Sequence, residues 1–91
     1  MQERTKMKLI IKTYLLCKGE ATANELAEFL NNNFRFRRYI SHRTISTMLT
    51  HTHYKGHILY GLKKRHTDTY NNKWYYYFEE GMDKILNGEG E

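Results

Sequence analysis

Apolar residues recur through the first part of the chain at the three- and four-residue spacings of an amphipathic helix. From about Arg4 to Lys18, Met7, Ile10, Ile11, Tyr14 and Leu15 share one face, while Lys6, Lys8 and Lys12 lie elsewhere. Lys18-Gly19 supplies the stop: a cation in the last turn, then the residue that best tolerates a left-handed cap. Thr22-Ala23-Asn24-Glu25 has the spacing of a capping box and predicts the start of a second helix, whose buried face is Leu26, Phe29 and Leu30. Asn31-Asn32-Asn33 ends it, because short amide side chains compete for the backbone bonds a helix needs. A third helix is predicted over about residues 41–51 from the Ser41 cap. Ile45, Met48 and Leu49 face inward there, and Arg43, Ser46, Thr47, Thr50 and His51 face outward.

After Gly56 the period drops from that of a helix to that of a strand. Ile58, Tyr60 and Leu62 alternate with Leu59, Gly61 and Lys63, and Trp74, Tyr76 and Phe78 alternate with Tyr75, Tyr77 and Glu79. The pattern predicts a hairpin over residues 58–78, with its tip at Thr67-Asp68-Thr69-Tyr70-Asn71-Asn72. The inward rings of its aromatic run are read as core, leaving Tyr75 or Tyr77 exposed; stacking on single-stranded bases is the lesser reading. Met82, Ile85 and Leu86 suit a short fourth helix, so residues 80–91 are read as a short helix or a tail. With 91 residues the chain is too short for two stable cores. The expectation is an α+β fold in one domain over residues 1–91, its core at about 5–79.

Charge changes the picture. No Asp or Glu occurs from Phe29 to Thr67, a window holding eight Lys/Arg (Arg35, Arg37, Arg38, Arg43, Lys55, Lys63, Lys64, Arg65) and all five histidines. The other 7 of the 15 basic residues face all 10 acids, so the net charge of +5 is concentrated in this one stretch. Such a field draws polyanions and speeds their encounter.

Three helices followed by a basic hairpin resemble the winged helix-turn-helix superfamily in its small prokaryotic or archaeal regulator form. The carrying segments are GEATANELAEFL, as the stabilising helix, and SHRTISTML, as the recognition helix, with HILYGLKKRHTDTYNNKWYYYF as the wing. The turn from Asn31 to Ile40 is longer and more basic than that pattern has, and Thr52 stands where these helices often keep an apolar residue. The resemblance implies a three-helix core with a C-terminal β-hairpin wing, binding double-stranded DNA as a transcriptional regulator and a homodimer. The dimer surface would be the first helix or the segment from Met82 to Leu86. The alternative is a winged-helix protein-interaction module in a nucleic-acid-processing complex.

On this reading the DNA-binding residues are Arg35, Arg37, Arg38, Ser41, His42, Arg43, Thr44, Ser46, Thr47, Thr50, Lys63, Lys64 and Arg65. A major groove admits one helix, and Arg43 in its first turn suits a bidentate contact to guanine. Arg35, Arg37 and Arg38 before that helix, and the hairpin cations after it, suit phosphates.

Other chemistry is weaker. His51, His53 and His57 invite a metal, but no thiolate or carboxylate lies near them in sequence, so no metal or other cofactor is expected. Cys17, the single cysteine, is read as a small buried apolar residue, and Ser41 has no base–acid pair arranged around it. With no phosphate-binding loop and no paired carboxylates, the chain is expected not to be an enzyme and to lack a small-molecule ligand. No apolar run approaches the roughly 20 residues that span a bilayer, so a cytoplasmic, nucleoid-associated location without a membrane partner is expected.

Overall fold

The computed structural model describes residues 2–66 and 73–79. They form α1 (Glu3–Lys18), β1 (Glu20–Thr22), α2 (Ala23–Asn33), α3 (His42–Met48), β2 (Lys63–His66) and β3 (Trp74–Tyr77). The strands make one antiparallel sheet in the order β1-β3-β2. This is a small α+β fold whose layout is compatible with a winged helix. The wing tip at 67–72 and the segment 80–91, with its expected fourth helix, lie outside the described residues.

The helix boundaries follow from local chemistry. α1 closes at Gly19, whose φ of 99° a side chain would resist, and the Gly19 N–H donates to Leu15 O at 2.8 Å. The capping box forms: the Glu25 N–H donates to Thr22 Oγ1 at 3.2 Å, and the Thr22 N–H donates to Glu25 Oε1 at 2.8 Å. Ser41 caps α3 by accepting the Thr44 N–H at 3.2 Å. Ile11 and Leu15 of α1, Leu26 and Leu30 of α2, Ile45 of α3 and Leu59 are fully buried. Each such side chain contributes roughly 1.5–3 kcal/mol by leaving water.

Several expectations need correction. α3 ends at Met48 rather than near residue 51, and His51 adopts a φ of 55° that no helix continues through. Ile58 to Leu62 are not strand. The N–H groups of His57, Tyr60 and Leu62 each donate at 3.0 Å to the carbonyl three residues back, which leaves no ladder for a partner. The anchor of this stretch is the fully buried Leu59, while Tyr60 is exposed. β1 was missed because three residues are too few to show alternation, and its partner β3 lies more than fifty residues away. Cys17 is exposed, because two positions past Leu15 turn about 200° round the helix, away from the core. Trp74 is exposed as well, whereas Phe78 is buried and Tyr76 packs on the core.

The long basic turn is well held. Asn31 Nδ2 donates to Ile40 O at 2.7 Å and Asn31 Oδ1 accepts the Ile40 N–H at 2.9 Å, closing the loop at its base. Midway, the Arg37 N–H donates to Glu3 Oε2 of α1 at 3.0 Å. Lys6 Nζ lies 5.9 and 5.7 Å from the ring centres of Phe34 and Phe36.

Candidate nucleic-acid interface

The pleat of the β2–β3 ribbon decides which side chains meet α3. Ala21, which is buried, pairs with Tyr76, and Tyr76 pairs with Lys64; His66 pairs with Trp74. Since alternate residues share a face, Lys64, His66, Trp74 and Tyr76 lie on the inner side of the sheet. Lys63, Arg65, Tyr75 and Tyr77 lie on the outer side, together with Glu20.

Two clefts border that inner side, one against Ser46 of α3 and one against the residues that follow α3. One, of about 220 Å³, is lined by Thr22, Ala23, Asn24, Ser46, Lys73, Trp74 and Tyr76. The other, of about 280 Å³, is lined by Leu49, Thr50, His51, Thr52, His53, Leu62, Lys63, Lys64 and Tyr76. Tyr76 borders both. Ser46 of α3 fronts the first, and Thr50, in the turn after α3, fronts the second. Among the described residues, neither lining contains an acid.

The expected site residues divide into groups. His42 and Arg43 are exposed in the first turn of α3. Ser41 and Thr44 are half-buried and engaged with each other, their hydroxyl oxygens 3.1 Å apart, so their first task is to cap α3. Thr47 and Thr50 are exposed, and their hydroxyls donate to Arg43 O at 3.0 Å and Thr47 O at 2.7 Å. Arg35, Arg37 and Arg38 are exposed on the pinned loop ahead of α3.

The ribbon cations do not act together. Arg65 donates from Nε and Nη2 to the Glu20 carboxylate at 2.9 and 2.7 Å, and its guanidinium lies 4.8 Å from the Tyr75 ring centre. The hydrogen bond to Glu20 holds its pKa above the ordinary arginine value. Lys63 Nζ is 3.5 Å from Glu79 Oε1, both well exposed. Lys64 sits on the other side, its Nζ 4.8 Å from the Trp74 ring centre. The structure also brings Asn24, Lys73 and Trp74 to the smaller cleft and sets His66 against Trp74, residues outside the expected DNA-binding set; Trp74 lies on the face with Tyr76 and Phe78 that the alternation predicts.

Among the described residues, no group of three or more His, Cys, Asp or Glu is arranged to hold a metal. His57 serves the backbone: its Nδ1 accepts the Leu59 N–H at 2.9 Å. Burial, then the charge of Lys8, lowers its pKa below the ordinary histidine value. Away from α3, an apolar groove of about 460 Å³ runs along α1 and α2, lined by Leu9, Ile10, Tyr14, Cys17, Phe29 and Phe34 among others. Burial, then the charges of Glu25 and Glu28, raises the Tyr14 pKa.

A sequence model described as Recombinase matches residues 2–89. The chain belongs to the Recombinase family. That membership overturns the assignment to the winged helix-turn-helix regulators, although the layout is compatible with theirs. Recombinase membership also connects the chain to DNA processing rather than to transcriptional control. The expectation of a non-enzyme fails on the same finding, because the family name is that of a DNA-recombining enzyme. Short patterns of capping residues and a basic ribbon follow from local physics that unrelated DNA-associated chains share, which is why they misdirected the family assignment. No curated protein and no solved structure gives a significant match. Among the described residues of this Recombinase chain, no helix is long and apolar enough to cross a membrane.

Proposed function

We propose that this chain is a single double-stranded-DNA-binding domain that works inside a nucleic-acid-processing assembly, namely recombination. One observation carries the reading: Ser46 of α3, the residues that follow α3 and the inner side of the ribbon border two clefts whose described linings contain Lys63 and Lys64 and no acid. α3 lies in the major groove, with Arg43 on a guanine edge and His42, Ser46, Thr47 and Thr50 beside it. Arg35, Arg37 and Arg38 on the loop, and Lys64 on the ribbon, hold phosphates on either side. Lys63 and Arg65, paired with Glu79 and Glu20, add little, in departure from the sequence reading. Membership of the Recombinase family supports this over a role in regulating transcription.

The test is binding to random duplex DNA across a salt series. A steep negative slope of affinity against salt supports the reading, and absent or salt-independent binding removes it.

A further inference from the structure

On the inner side of the ribbon, the Trp74 ring is not accounted for by core packing. Trp74 is 46% exposed, although it sits on the inner side of the sheet. Among the described residues, two side chains of β2 hold it on one flank. His66, directly opposite on β2, lies 4.6 Å away between ring centres at a tilt of 48°, and the Lys64 ammonium lies 4.8 Å from the indole centre. Both belong to β2, so the exposed remainder of the indole looks onto the smaller cleft, opposite Ser46. That cleft, about 220 Å³, is below the roughly 300–1,000 Å³ of pockets for whole drug-sized ligands and suits one flat ring system. Its other walls are mixed, with Ala23 and Tyr76 beside Thr22, Asn24 and Ser46; Asn24 is exposed and carries both an amide donor and a carbonyl acceptor.

Building on the DNA-binding reading, we infer that Trp74 is a stacking platform for a single unpaired base, which enters the cleft between the ribbon and α3. An aromatic face accepts any base without reading it, the amide of Asn24 meets the base edge, and Lys64 holds a flanking phosphate. A fully paired duplex keeps its bases stacked and cannot present one to the cleft. DNA that is nicked, bulged or being exchanged between strands can. The inner side of the ribbon thereby favours distorted duplex over intact duplex.

Trp74 is the chain's single tryptophan, so its emission reports on this ring directly. The full chain is titrated with two duplexes of the same sequence, one fully paired and one carrying a single bulged nucleotide. The expected result is tighter binding to the bulged duplex by roughly 5- to 150-fold, the range that one stacked base supplies. Tryptophan quenching should appear with that duplex alone. Trp74→Ala should abolish the preference while leaving affinity for the paired duplex nearly unchanged, and Trp74→Phe should retain part of it. Equal affinities and unquenched emission with both duplexes would overturn the platform and leave the DNA-binding reading intact. Absence of binding to either duplex would overturn both.

Discussion

On the outer side of the β2–β3 ribbon, Arg65 is clamped by both oxygens of Glu20 and Lys63 leans on Glu79. One residue away, on the inner side, Lys64 has a tryptophan ring for a neighbour and faces a cleft whose described lining holds no acid. In the sequence these three cations are consecutive and indistinguishable. The pleat separates them, because a strand sends alternate side chains to opposite faces and only one face here looks toward α3. The outer pairs are exposed and salt-screened, so they trim the stability of the ribbon by small amounts. The inner cation keeps its charge available for a polyanion.

The largest effect expected from this division falls on α3, the element the inner side faces. Arg43→Ala should cost about 1–3 kcal/mol on a preferred duplex and little on random DNA, measured by competition binding. Equal losses on both would make Arg43 another phosphate contact. Next, Lys64→Ala should flatten the salt dependence by about one unit while Lys63→Ala leaves it nearly unchanged. If the two variants behave alike, the two sides of the ribbon are not different surfaces.

A smaller change should follow from releasing the outer clamp. Glu20→Gln should lower thermal stability by an amount within the roughly 0.2–1 kcal/mol of exposed pairs. It should also raise affinity for DNA, because Arg65 is freed; unchanged affinity would mean the guanidinium stays pinned to Tyr75. The smallest expected effect belongs to His57, which neither side uses. Its folded pKa lies below the unfolded value of about 6.5, so the unfolded chain binds the extra proton and stability falls as pH drops through that region. Denaturant midpoints between about pH 7.5 and 5.5 should show this decline, and His57→Gln should reduce it.

What was legible in the sequence was local. The Thr22–Glu25 box, the Gly19 stop and the Ser41 cap each involve groups within four residues of one another, and each forms as expected. The illegible parts depend on distant partners. β1 exists because β3 pairs with it, and the alternation of Ile58 to Leu62 was overridden by turns around a buried Leu59. The acid-free window shows the same limit for the site. Glu3, Glu20 and Glu79 all lie outside it in sequence, yet their carboxylates reach the Arg37 amide, the Arg65 guanidinium and the Lys63 ammonium in space. The sequence described a continuous basic surface, whereas folding leaves a discontinuous one, with Arg43, the arginine loop and Lys64 as its unclamped parts.

The paired hydrogen bonds between Asn31 and Ile40 span nine positions and turn the arginine loop into a closed ring rather than an open strap. A ring visits fewer shapes than a strap, and the loss of that freedom is incurred when the protein folds, before any polyanion arrives. On the DNA-binding proposal, Arg35, Arg37 and Arg38 therefore meet an incoming phosphate chain as a preset comb. The benefit appears in the rate of association, as a larger share of collisions that dock, while the charge that steers those collisions is the same with the ring open or closed.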